Sequence, residues 1–155
     1  MSKIKYEEGD VFAVPLEKDG YCLGVVARKP KGGKVLLGYF FGPRLIQIPK
    51  ESEIPLFCPR DAVKVIKFGD LFLLKGKWPV ISHIPNWNRE VWPIPNFVRR
   101  ESISKRAFLI TFSEENLSQP ALEEPCHFDT NLETDSVWGA EFTELALNKV
   151  FLQKT

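Results

Sequence analysis

The first part of the chain alternates between short apolar runs and turn signals. DVFAVPLE and GYCLGVVARK read as strands joined by Lys18-Asp19-Gly20, which suits a hairpin. Val11 and Ala13, with Pro15 after them, fall on one side of the first strand and Phe12, Val14 and Leu16 on the other. Apolar residues on both sides predict a strand covered on both faces. KPKGGK is a second turn, whose two glycines accept positive φ, and KVLLGYFFG is a third strand. RLIQIP reads as a fourth strand after Gly42-Pro43. Pro59-Arg60-Asp61-Ala62 suits one helical turn, and VKVIKF then alternates as a strand.

GDLFLLKG, from Gly69, repeats the spelling of GDVFAVPL, from Gly9. Each copy places Gly-Asp before a strand-like run, and a second short apolar strand follows, YCLGVV in one case and WPVISHI in the other. Two readings stand: a duplicated β half, or common turn chemistry met twice. From Pro85 to Phe97 the proline density forbids a regular helix and a central strand, so WPIPNF is expected to be extended. RAFLITF, at 106–112, is a further strand, and 113–136 reads as an acidic loop. A helix is predicted over 137–151, capped by Asp135 or Ser136, with Phe142, Leu145, Ala146 and Val150 on its apolar face.

These elements predict a mainly β fold with a C-terminal helix: a small antiparallel SH3-like barrel or a sandwich, with two similar β halves as one form of it. At 155 residues the chain is expected to be a single domain, 1–155, with a first β half at 9–60 and a second at 69–112. Cys22, Cys58 and Cys126 form no CxxC and are odd in number, so neither a disulfide framework nor a zinc ribbon is signalled. The start lacks the apolar run of a signal peptide, and no apolar run is long enough to span a bilayer. A cytoplasmic location with free thiols is expected.

Charge is divided along the chain. Net charge is +1, yet no basic residue lies between Arg106 and Lys149, where the acids Glu114, Glu115, Glu123, Glu124, Asp129 and Glu133 occur. Such asymmetry usually concerns partners, although a solvated acidic loop would look the same. Catalytic signatures are missing. Cys126 and His127 are adjacent, and neighbours on a strand point apart, so they cannot share a proton. With two histidines no metal set is assembled, and His83 reads as a satisfied half-buried side chain. The pairs Glu114-Glu115 and Glu123-Glu124 lie in polar sequence, where both carboxylates are solvated. Lys31-Gly32-Gly33-Lys34 lacks the spacing of a phosphate loop. The expectation is no enzyme, no cofactor and no metal. Arg28, Lys29, Lys31 and Lys34 near Tyr39, Phe40 and Phe41 could form a nucleic-acid groove, but the acidic region would repel phosphate. Nucleic acid is therefore an unlikely partner.

Residues 76–97 hold Trp78, Trp87 and Trp92 among four prolines. Trp78 opens a strand and is expected in the core, and Trp92, which precedes Pro93, is expected to be extended and to pack against the barrel. Trp87, between two asparagines, is the ring of the three expected to be exposed and to anchor a contact, the alternative being that all three serve as core or lid.

Gly69-Asp70, Gly76 and Trp78-Pro79-Val80, followed by Trp92-Pro93 and Phe97, resemble the immunity protein 26 family of bacterial polymorphic toxin systems. The resemblance extends over about 9–110. It implies a mostly β, non-catalytic cytoplasmic antitoxin that binds a cognate toxin domain. An acidic face would suit a basic partner such as a nuclease. Trp87, Glu114, Glu115, Glu123, Glu124, Asp129 and Glu133 are then the interface candidates, on a monomer or weak dimer. The competing reading is a small β-barrel that binds nucleic acid or peptide.

Overall fold

The computed structural model describes residues 5–17, 20–31 and 34–152. A six-stranded sheet forms the centre, in the order β5-β1-β2-β3-β4-β9. Its strands are β1 (Asp10–Pro15), β2 (Tyr21–Arg28), β3 (Val35–Leu45), β4 (Lys64–Gly69), β5 (Val80–His83) and β9 (Val137–Trp138). β1 to β4 and β5 pair antiparallel, while β9 joins β4 in parallel. A second sheet is formed by β6 (Phe97–Glu101), β7 (Arg106–Thr111) and β8 (Leu122–Cys126). The fold is mainly β and sandwich-like, and the sheet does not close into a barrel. No helix among the described residues is long and apolar enough to cross a membrane.

Period-two alternation builds both cores. Phe12, Val14, Val26, Leu36, Phe40, Ile66 and Phe68 project to one face of the large sheet. Val11, Val25, Ala27, Leu37, Tyr39 and Phe41 project to the other. The first face is covered by Trp78, by a single helical turn α1 (Leu71–Leu74) and by the C-terminal helix α2 (Ala140–Leu152). The second is covered by Trp92, Phe97, Ile110 and Phe112 from the tryptophan–proline stretch and the small sheet. A sheet buried on both faces needs apolar residues at every position, as β1 to β3 supply.

Several expectations need correction. The 69–76 segment is not a strand: Leu71–Leu74 is helical, with Phe72 and Leu73 buried. A short apolar run carries no periodicity that separates strand from helix. Here β4 has just ended, and the turn brings Trp78 back so that its N–H donates to Phe72 O. The two Gly-Asp pairs differ too. Gly9 sits at φ +92 against the rings of His83 and Trp87, while Gly69 has open space around it. The repeat is one of spelling, not of structure. RLIQIP contributes only Arg44 and Leu45, which end β3 where Leu45 meets Tyr21, the first residue of β2. The acidic segment contains β8 and is not all loop. α2 starts at Ala140 because Val137 and Trp138 are held on Lys67 and Phe68. Its buried stripe is Ala140, Thr143, Leu147 and Phe151, so Phe142 and Leu145 face outward instead. The hairpin tips at Lys18-Asp19 and Gly32-Gly33 lie outside the described residues.

Candidate protein-binding site

Trp87 does not stand out in solvent. Its ring is half-buried and packs on Trp92 at 5.5 Å between centroids. Gly9 makes room for it, since a Cβ there would lie 2.9 Å from the indole. Asn86 turns the chain at φ 54, and the Asn88 side chain accepts from Glu90 N–H to start the 3-10 turn Arg89–Val91. The indole Nε1 donates to Glu8 Oε1 at 3.0 Å. Arg89 grips the same carboxylate with two prongs, Nε at 2.8 Å and Nη2 at 2.7 Å, the strong bidentate arrangement. Its remaining nitrogen, Nη1, donates to Glu114 Oε2 at 2.9 Å.

Arg28 completes this network from below. Its side chain is only 2% exposed and pairs with Glu114 Oε1 at 3.0 Å. Nη1 donates to Ala27 O and Trp92 O, and Nη2 also reaches Arg89 O. Strand parity alone would aim Arg28 to the helix side with Val26. A register shift between Val26 and Arg28 in the β2–β3 pairing turns it toward Trp92 instead. Burial works to raise the Glu8 pKa, but the hydrogen bonds from Arg89 and Trp87 and the nearby guanidinium charges outweigh it and hold the carboxyl below its usual range. Arg89 is correspondingly pushed up, first by its hydrogen bond to Glu8.

The remaining acidic candidates divide into two kinds. Glu133 accepts from Lys64 Nζ at 2.6 Å, and its neighbour Asp135 accepts from Lys67 Nζ at 2.6 Å. Lys67 is buried, 3.6 Å from the Phe112 ring centroid, and burial lowers its pKa against the opposing pull of Asp135. Glu123 lies 3.5 Å from Arg99 across the small sheet. Glu115, Glu124 and Asp129 are exposed and enter no ion pair among the described residues. The candidates therefore do not form one cluster. Glu114 and Glu133 anchor the C-terminal segment to the basic part of the chain, while Glu115, Glu124 and Asp129 face outward.

Sequence reasoning missed Glu8, Arg89 and Arg28 as partners of these residues. The paired Glu7-Glu8 and the charge at the end of VVAR were visible, but their pairing spans most of the chain. The residues that suggested a nucleic-acid groove are largely engaged within the fold. Arg28, Tyr39, Phe40 and Phe41 are buried, and Lys29 Nζ bonds Tyr6 O while lying 4.2 Å over its ring. Glu7, Asp10 and His83 are the group of metal-ligating type among the described residues. Asp10 is already engaged there, by His83 Nδ1 at 2.9 Å and by Glu7 N–H at 2.8 Å. No side-chain hydrogen bond joins Cys126, His127 and Asp129 among the described residues. All three cysteines are free, and burial pushes the Cys22 thiol pKa up.

Neither the curated proteins nor the solved structures contain a match to this chain. The family model described as immunity protein 26 matches residues 7–109, the segment that supplies β1 to β6, the first four residues of β7, Trp87, Arg89 and Arg28. The chain belongs to the immunity protein 26 family.

Proposed function

We propose that this immunity protein is non-catalytic and acts in the cytoplasm, where it binds a cognate toxin domain and neutralises it. We infer further that the toxin presents a basic surface of the kind that nucleic-acid-cleaving domains need. The observation that carries this reading is the outward set Glu115, Glu124 and Asp129, three exposed carboxylates left over once Glu114, Glu123 and Glu133 have found intramolecular partners. Unneutralised surface charge steers association and sets orientation. In this reading the three outward acids make the direct contacts. Glu114, Glu123, Glu133 and the half-buried Trp87 shape the surface beneath them, held by Arg28, Arg99, Lys64 and Glu8.

The test is pull-down of the tagged protein with the toxin domain encoded beside it, scored with growth rescue on co-expression. Binding with rescue is expected, and affinity should fall as salt rises. The triple variant Glu115→Lys, Glu124→Lys, Asp129→Lys should keep its fold and lose affinity by about tenfold or more. Undiminished binding by the triple variant at low salt would remove the acidic-face reading, and no binding by the natural protein would remove the immunity reading itself.

A further inference from the structure

α2 is apolar on two sides. Ala140, Leu147 and Phe151 pack into the core, while Phe142 and Leu145 remain 57% and 59% exposed. Trp138 stands edge-on to Phe142 at 5.1 Å and extends the outer apolar face. Beside this ridge lies a cleft of about 550 Å³ lined by Trp138, Phe142, Leu145 and Ala146, with Glu17 and Lys149 at its rim. A helix with apolar residues on both faces is usually covered on both. The question is by what.

The charges on the exposed face answer it. Glu141, Leu145 and Lys149 follow one another at intervals of four along the helix, and all three are exposed. Neither Glu141 nor Lys149 enters an ion pair among the described residues. At a rise of about 1.5 Å per residue, the acid and the base lie about 6 Å to either side of Leu145. This stripe reads acid–apolar–base, and a two-fold axis through Leu145 maps the acid onto the base. Ridge and cleft also sit side by side on the same face, as a self-complementary contact requires. We propose that this face is covered by a second copy of the chain, with the two α2 helices antiparallel about Leu145. Each Phe142 then enters the cleft of the other copy, and Glu141 pairs with Lys149 of the other copy, twice. A parallel arrangement would set Glu141 against Glu141 and Lys149 against Lys149. The small sheet carrying Glu124 covers the opposite face of the central sheet, so the dimer leaves it open. This inference does not depend on the toxin-binding reading.

The experiment is sedimentation equilibrium of the full chain across a dilution series, with a thermal melt of every variant at a concentration where it is monomeric. The natural chain should pass from its 17.8 kDa monomer toward twice that mass as concentration rises. Leu145→Glu should stay monomeric with an unchanged melt, because the residue it alters is exposed. Glu141→Lys should weaken the dimer by about tenfold, and Glu141→Lys with Lys149→Glu should restore it. The swap runs against the helix dipole, and the monomer melt separates that small loss from the association constant. A natural chain that stays monomeric throughout overturns the proposal, whatever else binds the face. So does a dimer that survives Leu145→Glu. Failure of the double swap to restore association rules out the antiparallel register.

Discussion

On the helix side of the central sheet Phe12, Phe40, Phe68 and Trp78 lie ring against ring, with centroids 5.6 to 6.0 Å apart. Gly24 and Gly38 have no side chain because one would strike Phe12 and Phe68, at 2.4 and 2.5 Å. On the other side Arg28 and Lys67 are buried among Trp92, Phe97 and Phe112. Shape holds the first face; the second also depends on charge matched across long stretches of chain. Arg28–Glu114, Lys64–Glu133, Lys67–Asp135 and Arg99–Glu123 all join the basic part of the sequence to the acidic part. Much of the charge division that looks like a signal for partners is thus a contact within the molecule. The carboxylates of Glu115, Glu124 and Asp129 stay outside it, exposed and unpaired among the described residues.

The largest expected effect breaks the shape-held face. Trp78 is fully buried and stacks on Phe12, and its Nε1 donates to Glu144 Oε1 at 3.0 Å. Trp78→Ala should destabilise the fold by about 4 kcal/mol in urea unfolding, the scale of large-to-small changes in a packed core. Most of that loss is lost packing, and the rest is the hydrogen bond to Glu144.

How much of this was legible depends on range. The two-sided apolar pattern of β1 is local, and it correctly implied a strand covered on both faces. Trp78 could be placed in the core from its strand context and Trp92 against the barrel from its proline context, and both are buried. Leu71–Leu74 could not be told from a strand, because four consecutive apolar residues fit either geometry. β6, reading FVRRE, carries too many charges to look like a strand; it is one because β7 pairs with every residue of it. The helical period of α2 was plain, yet two apolar stripes share that period and only tertiary packing selects one. That Trp87 is half-buried and not open was not legible, because the carboxylate that holds it is 79 positions away. No local pattern encodes that.

The next effect belongs to the charge-held face. Arg28→Ala removes the donor from Ala27 O, Trp92 O and Arg89 O, and leaves space where a buried side chain lay. A loss of about 3 kcal/mol is expected. Glu114→Gln should cost only about 1 kcal/mol, because the carboxylate is 45% exposed and Arg28 keeps its carbonyl acceptors. Glu124→Gln, outside the network, should stay within about 0.5 kcal/mol. If the three variants proved equal, the division between anchoring and outward acids would fail.

The last effect, of the same small size as that of Glu114→Gln, is the one that separates the two faces by pH. The Glu8 carboxyl is held below its ordinary value, so it stabilises the fold when ionised. A carboxyl with a depressed folded-state pKa contributes its full stability above the ordinary value of 4.5, and loses it as pH falls through the lowered one. Glu8→Gln should therefore unfold more easily than the natural protein at neutral pH, by about 1 kcal/mol with its partner Arg89 partly solvated. The gap should begin to shrink below the ordinary carboxyl value and close once pH has passed the lowered one, where the folded protein takes up the proton as well. Urea unfolding of both proteins at neutral and strongly acidic pH reads this directly. A gap that persists unchanged into acid would mean that Glu8 acts through packing and hydrogen-bond geometry alone, and that its charge adds nothing to the grip of Arg89 and Trp87.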